Sequence, residues 1–259
     1  MKVYEFGEEN EKTMLLFECA TEPGWVFFST AKAVAQDFHV FLFISDGHDE
    51  QGTDFISVEK NAEEAVAYLR EKGLSSLDLL YGASMGGGTV MHWVAYQLFP
   101  VKKAIVDAGI TPYSYPKWIC RLIAVKDYLM IKIGFSSVGI MKKVMPPERW
   151  TPKGEDPDEH YQKIYEFGKN HFSDKTIYNV FWSANNYTMP DPVPPVDVKM
   201  EYWYGEEEKK ARKDNLAYAM RAFPQIKPRE YKGLAHTELL MMFPEKFHQE
   251  VMRFWNDNE

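Results

Sequence analysis

The chain reads as an α/β protein: a mostly parallel central sheet flanked by helices, interrupted late by a helical insertion. Two observations predict this. Up to residue 106, short apolar runs alternate with amphipathic stretches, the pattern of parallel strands joined by helices. Between residues 111 and 195 that alternation stops, and it resumes at Val198.

The elements follow in order. Residues 13–17 read as a strand and 30–37 as a helix. Residues 40–44 are five apolar positions in a row, as expected of a strand buried on both faces. In 58–72, Ala62, Ala65, Val66 and Leu69 recur at helical spacing, and Gly73 closes the helix. Residues 77–81 form the next predicted strand, 86–98 a helix and 103–106 a further strand. The stretch from Thr111 to the proline cluster 190–195 is rich in Met, Ile, Trp and Tyr and carries Arg121, Lys126, Asp127 and Lys132, which predicts amphipathic helices. Strands at 198–204 and 229–231 and a helix at 244–255 complete the chain. The predicted organisation is a core of residues 1–110 and 196–259, with 111–195 as a helical lid or cap.

Composition narrows the function classes. With 259 residues, 45% of them hydrophobic, the chain can bury one large core. A formal net charge of −8 argues against nucleic acid or an anionic membrane as partner. Two distant cysteines, Cys19 and Cys120, make no disulfide framework or zinc site, and reduced thiols are expected. The acidic N-terminus lacks a signal-peptide pattern and no run of 18 apolar residues exists, so a cytoplasmic protein without an integral membrane segment is expected. No nucleotide-binding glycine pattern or metal cluster points to a cofactor. A small-molecule substrate is the expected partner, and a homodimer is compatible with the sequence.

The chemistry concentrates at Gly82-Ala83-Ser84-Met85-Gly86, a G-x-S-x-G pattern between an apolar strand and a helix. A nucleophilic serine must project from a sharp turn to meet both its base and its substrate. Such a turn strains the nucleophile's backbone and brings strand and helix backbones together, so glycine two residues to either side removes colliding side chains. The helix that follows aims its positive end at the developing anion.

At this point the chain resembles the α/β-hydrolase superfamily, in the order of its elements from Met14 to Gly87 and in two loops. Ser45-Asp46-Gly47-His48-Asp49 is similar to that family's D-x-P-G-x-G turn, without its proline. Gly233-Leu234-Ala235-His236-Thr237-Glu238 and the following Phe243-Pro244-Glu245-Lys246-Phe247 resemble its catalytic-histidine loop and last helix. The resemblance implies a triad with Ser84 as nucleophile and His236 as base. The acid would come from Glu208, three positions after Gly205, with Asp107 and the neighbouring Glu206 and Glu207 as alternatives. It further implies an oxyanion hole from the backbone N–H groups of Met85 and Ala20. The second lies in a turn, Glu18-Cys19-Ala20, that departs from the family's His-Gly.

The inserted residues Trp118, Ile119, Leu122, Ile123, Tyr128, Met130 and Phe135 suggest an apolar roof over the site. The resulting expectation is a serine hydrolase, carboxylesterase-like, cleaving a small to medium, mainly apolar ester through an acyl-enzyme. The alternatives are another chemistry of the same fold (thioesterase, C–C hydrolase, aminopeptidase, lyase or acyltransferase) and a non-catalytic ligand-binding member.

Overall fold

A computed structural model describes residues 1–257. Seven strands, β1 (Lys2–Phe6), β2 (Thr13–Phe17), β3 (His39–Ile44), β4 (Leu77–Ala83), β5 (Val101–Asp107), β6 (Lys199–Gly205) and β7 (Lys227–Tyr231), form one sheet in the order β1-β3-β2-β4-β5-β6-β7. All neighbours pair in parallel except β1, which runs antiparallel along β3 from Lys2 opposite Ile44 to Phe6 opposite Val40. This edge strand is missing from the sequence reading. Its five residues are all half-buried and include Lys2 and Glu5, so it carries no continuous apolar run.

Side chains alternate across the sheet and divide the core in two. On one face Leu15, Phe17, Phe41, Phe43, Leu80 and Tyr202 pack under α2 (Val58–Glu71), α3 (Met85–Tyr96) and α9 (Lys209–Ala222). On the other, Met14, Leu16, Leu42, Tyr81 and Trp203 pack under α1 (Phe28–Val34) and α11 (Pro244–Asn256), with α10 (Glu238–Met242) at its rim. Each fully buried Leu or Phe contributes about 1.5–3 kcal/mol relative to exposure. The first-half helices and strands lie within a few residues of their predicted bounds. Ser57 caps α2 by accepting from Lys60 N (3.2 Å), and Gly73, at φ +78°, follows its end.

Between β5 and β6 the chain forms five helices: α4 (Lys117–Gly134), α5 (Val138–Val144), α6 (Pro147–Trp150), α7 (Pro157–His171) and α8 (Asp174–Ala184). Thr176 and Ser183 of α8 accept from the backbone N–H groups of Phe55 (3.0 Å) and Val58 (2.8 Å), fixing this segment to the loop before α2. The expected apolar roof needs correction here. Trp118, Leu122 and Met130 are about 60% exposed and face solvent, because only the opposite side of α4, with Cys120 and Ala124, is buried.

The closest approach of backbone to a glycine lies where β4 meets α3. A Cβ added at Gly82 would stand 2.2 Å from the Gly86 carbonyl oxygen, whereas one at Gly134 meets nothing within 4 Å. Gly82→Ala should therefore lower unfolding stability by about 1–3 kcal/mol or more. Gly134→Ala, at a helix end with open space for a Cβ, should be neutral or stabilising by roughly 0.4–1 kcal/mol. Urea titrations of both variants check this, and equal midpoints would contradict it.

Candidate active site

Parallel strands place their carboxyl ends on one edge of the sheet, where the site of an α/β protein assembles. β4 is the central strand, and its end is level with its neighbours: Phe17 pairs with Gly82, and Ala83 with Asp107. Ser84 follows immediately, at φ +53° and ψ −106°, a conformation that costs a non-glycine residue of order 1–3 kcal/mol. Its backbone N–H donates to Asp107 O (2.8 Å), and its carbonyl accepts from Gly88 N (3.3 Å) and Ile110 N (3.4 Å). Three glycines allow the turn. A Cβ at Gly86 would stand 2.7 Å from Glu18 O, and one at Gly87 would stand 2.6 Å from Gly109 Cα. Met85 opens α3, and first-turn N–H groups have no intrahelical acceptor.

His236 lies in the loop between β7 and α10, half-exposed, just before Thr237 at φ +54°. Its Nδ1 is 2.7 Å from Glu208 Oε2. The same Oε2 accepts from Arg212 Nε (2.9 Å), and Oε1 accepts from Gly205 N (3.2 Å). Burial alone would raise the Glu208 carboxyl. The hydrogen bond and charge of His236, with Arg212 and the Gly205 N–H, outweigh it and hold the group below the usual carboxylate value. Ser84 and His236 share no hydrogen bond in this structure.

Asp107 turns elsewhere. Its Oδ2 accepts from the Tyr81 hydroxyl (2.5 Å), and burial pushes its carboxyl up to about 6 despite that bond. Glu206 and Glu207 are also engaged: Glu206 accepts from Gly233 N (2.9 Å), and Glu207 pairs with Arg149 (2.9 Å). The three consecutive glutamates thus have separate partners on a short 3-10 turn, in place of the solvated loop that such a run ordinarily forms.

The sequence gives little sign of Arg149. From α6 it donates to both Glu238 oxygens (2.8 and 2.6 Å) and to Gly233 O (3.1 Å), clamping the inserted helices onto the His236 loop. Arg212 also escaped the sequence reading, although its i,i+4 spacing from Glu208 could have identified it.

Ala20 sits half-buried in the turn after β2, and its N–H makes no hydrogen bond within the described residues. Thr21 next to it takes φ +61° and donates its N–H to His48 Nε2 (3.1 Å). Burial lowers His48 to about 4, so the ring is neutral near pH 7, with Nδ1 facing Asp46 O at 3.3 Å. Glu18 accepts from Ser45 N (2.9 Å). Cys19 and Cys120 are buried free thiols, and burial pushes Cys19 well above its ordinary range. Among the described residues, no group of three or more His, Cys, Asp or Glu is placed to hold a metal. A groove of about 840 Å³ lies between Trp25 and α7, lined by Glu159, His160, Lys163 and Phe167 and by none of the residues above.

No family model and no curated protein matches the chain. Solved structures do. An α/β-hydrolase family protein from Desulfitobacterium hafniense superposes with a TM-score of 0.75 at 16% identity, over 98% of this chain and 100% of its own. A marine microorganism esterase gives 0.68 at 19% identity, covering 98% of each chain. The enol-lactonase from Burkholderia xenovorans LB400 gives 0.67 at 15%, covering 99% of this chain and 96% of its own.

The buried acids make stability depend on pH. Burial pushes Glu18 to about 7 and Glu22 to about 8, so the native state binds protons that the unfolded chain has released. Stability from these groups is complete below their unfolded values and is lost as pH rises through the folded ones. His48, lowered to about 4, opposes this only up to its ordinary 6.5. From pH 6.5 to about 8, stability should therefore fall, and Glu18→Gln, permanently neutral, should flatten the fall. Urea midpoints across that window check it; a midpoint that climbs in the unmodified protein would refute it.

Proposed function

For a chain with the α/β-hydrolase fold, we propose that Ser84, His236 and Glu208 form a catalytic triad, and that the protein is a serine hydrolase cleaving a small to medium, mainly apolar carboxylic ester. One observation carries the reading: the 2.7 Å contact of Glu208 with His236 Nδ1, on the sheet edge where Ser84 is held at positive φ. Asp107 is the weaker candidate for the acid, since its carboxylate is taken by Tyr81.

In this reading Glu208 fixes the tautomer with hydrogen on Nδ1, leaving Nε2 to accept the Ser84 proton. Ser84 Oγ attacks the ester carbonyl, and the tetrahedral oxyanion is held by the N–H groups of Met85 and Ala20. The unbonded state of the Ala20 N–H supports its part in this. Collapse expels the alcohol, which takes the proton from His236; water, deprotonated by the same ring, then releases the acid and regenerates Ser84. The 111–195 segment would act as the lid. Of its apolar residues, the half-buried Ile119 and Ile123 can contribute to a roof, while Trp118, Leu122 and Met130 face away. The likenesses to an esterase and a lactonase support ester chemistry.

A fluorophosphonate should label the protein and fail on Ser84→Ala; equal labelling of both sinks the assignment. Glu208→Gln should lower kcat by roughly 10⁴-fold, by analogy with acid-to-amide changes in such triads. Asp107→Asn should cost far less, and the reverse ranking would move the acid to Asp107. Activity on p-nitrophenyl esters should rise from acetate to a short or medium chain, because each buried methylene can add up to about 0.8 kcal/mol. It should fall beyond that, and a flat profile would direct the search to non-ester substrates.

A further inference from the structure

α4 is apolar on two opposite faces. Cys120 and Ala124 are buried against the body, while Trp118, Leu122, Val125, Leu129 and Ile133 are 63, 61, 42, 50 and 61% exposed. At 100° per residue these five fall within an arc of about 80°, diametrically opposite the buried side. A helix that is apolar all round is normally buried all round. Here the outer stripe, about 25 Å long, has no partner among the described residues.

Charge indicates what covers it. Residues 117–145 hold six basic side chains and one acidic, a segment charge of +5 that Asp174 and Asp158, paired with Lys132 and Lys142, reduce to +3, within a chain of −8. On the helical wheel Arg121 and Lys132 border the stripe on one side and Lys126 on the other. Lys126 and Lys132 pair with Asp127 and Asp174, and Lys117 and Arg121 lie over the Trp182 ring. Exposed pairs of this kind are weak and exchange readily. A second copy of the chain on a two-fold axis would set this patch against itself, bringing like charges together. An apolar stripe that includes a tryptophan, bordered by Arg and Lys, instead suits a helix lying in the plane of an anionic bilayer surface. No helix of the described residues is long and apolar enough to cross a membrane.

We propose that the outer face of α4 docks the protein peripherally on anionic lipid membranes, with Trp118, Leu122 and Ile133 entering the headgroup boundary and the flanking basic residues pairing with lipid phosphates. The inference rests on α4 alone and is independent of the chemistry at Ser84. The overall acidity that argues against a membrane is an average, and the charged side chains bordering the stripe, Arg121, Lys126 and Lys132, are basic.

The test is flotation of the full-length protein with vesicles of phosphatidylcholine alone or with about one-third phosphatidylglycerol. Binding is expected to the anionic vesicles only, and it should fall as salt shortens the Debye length. Each basic residue near the surface should be worth roughly fivefold in partitioning, so Lys126→Glu with Lys132→Glu should reduce binding about 25-fold or more. Leu122→Ser with Ile133→Ser should reduce it comparably, with circular-dichroism melting confirming that both double variants fold. No binding to anionic vesicles overturns the proposal. So does binding that ignores the Leu122 and Ile133 changes, or a solution dimer that dissolves in the same variant.

Discussion

Where β4 turns into α3, backbone meets backbone with no room for a Cβ. Gly82 lies under the Gly86 carbonyl, Gly86 against the end of β2 and Gly87 against Gly109 beyond β5. These approaches lock three adjacent strand ends to one helix start. They make the positive φ of Ser84 tolerable, because the Asp107 carbonyl and the Gly88 and Ile110 N–H groups hold its peptide groups from both sides. The turn after β2 inherits its position from the same contact, since Glu18 O is what Gly86 abuts.

A second constraint is electrostatic. Four carboxylates, Glu206, Glu207, Glu208 and Glu238, crowd the loops after β6 and β7, and a cluster of like charge would push them apart. Arg149 and Arg212 prevent that with directed donors, and the Gly205, Gly233 and Ala235 N–H groups supply the rest. The His236 loop is therefore held by charge as well as by the packing of Leu234, Leu239 and Leu240, and one of its anchors comes from the inserted helices. Movement of α6 would be felt at Glu238 and Gly233, two residues to one side of His236 and three to the other.

Much of this was visible in the sequence because the deciding signals were local. Apolar runs and helical spacing gave the strands and helices of the first half, and the G-x-S-x-G spacing marked the strained turn. What was missed depends on distance or on face. β1 is a charged edge strand recognisable only by its pairing with β3. α9, with its lysines, two arginines and aspartate, lacks a strong apolar stripe. Arg149 acts 89 residues from Glu238, and nothing near it signals that partner. Trp118, Leu122 and Met130 read as buried by composition, yet helical phase alone cannot say which of two apolar faces meets the core.

The turn after β2 holds a left-handed residue without glycine. Glycine commonly supplies a left-handed residue in such a turn, and here Thr21 takes φ +61° at a cost glycine would avoid. What offsets the cost is a side chain from the neighbouring strand's loop: His48 presents Nε2 to the Thr21 N–H. It can do so only while neutral, because a protonated ring has no acceptor. Burial, by lowering its pKa to about 4, keeps that acceptor available through the neutral range. Glu18 repeats the logic on the other side, its carboxyl taking the Ser45 N–H and tying the two loops together. Buried hydrogen bonds thus hold this turn where glycine is absent, and the Ala20 N–H makes none within the described residues.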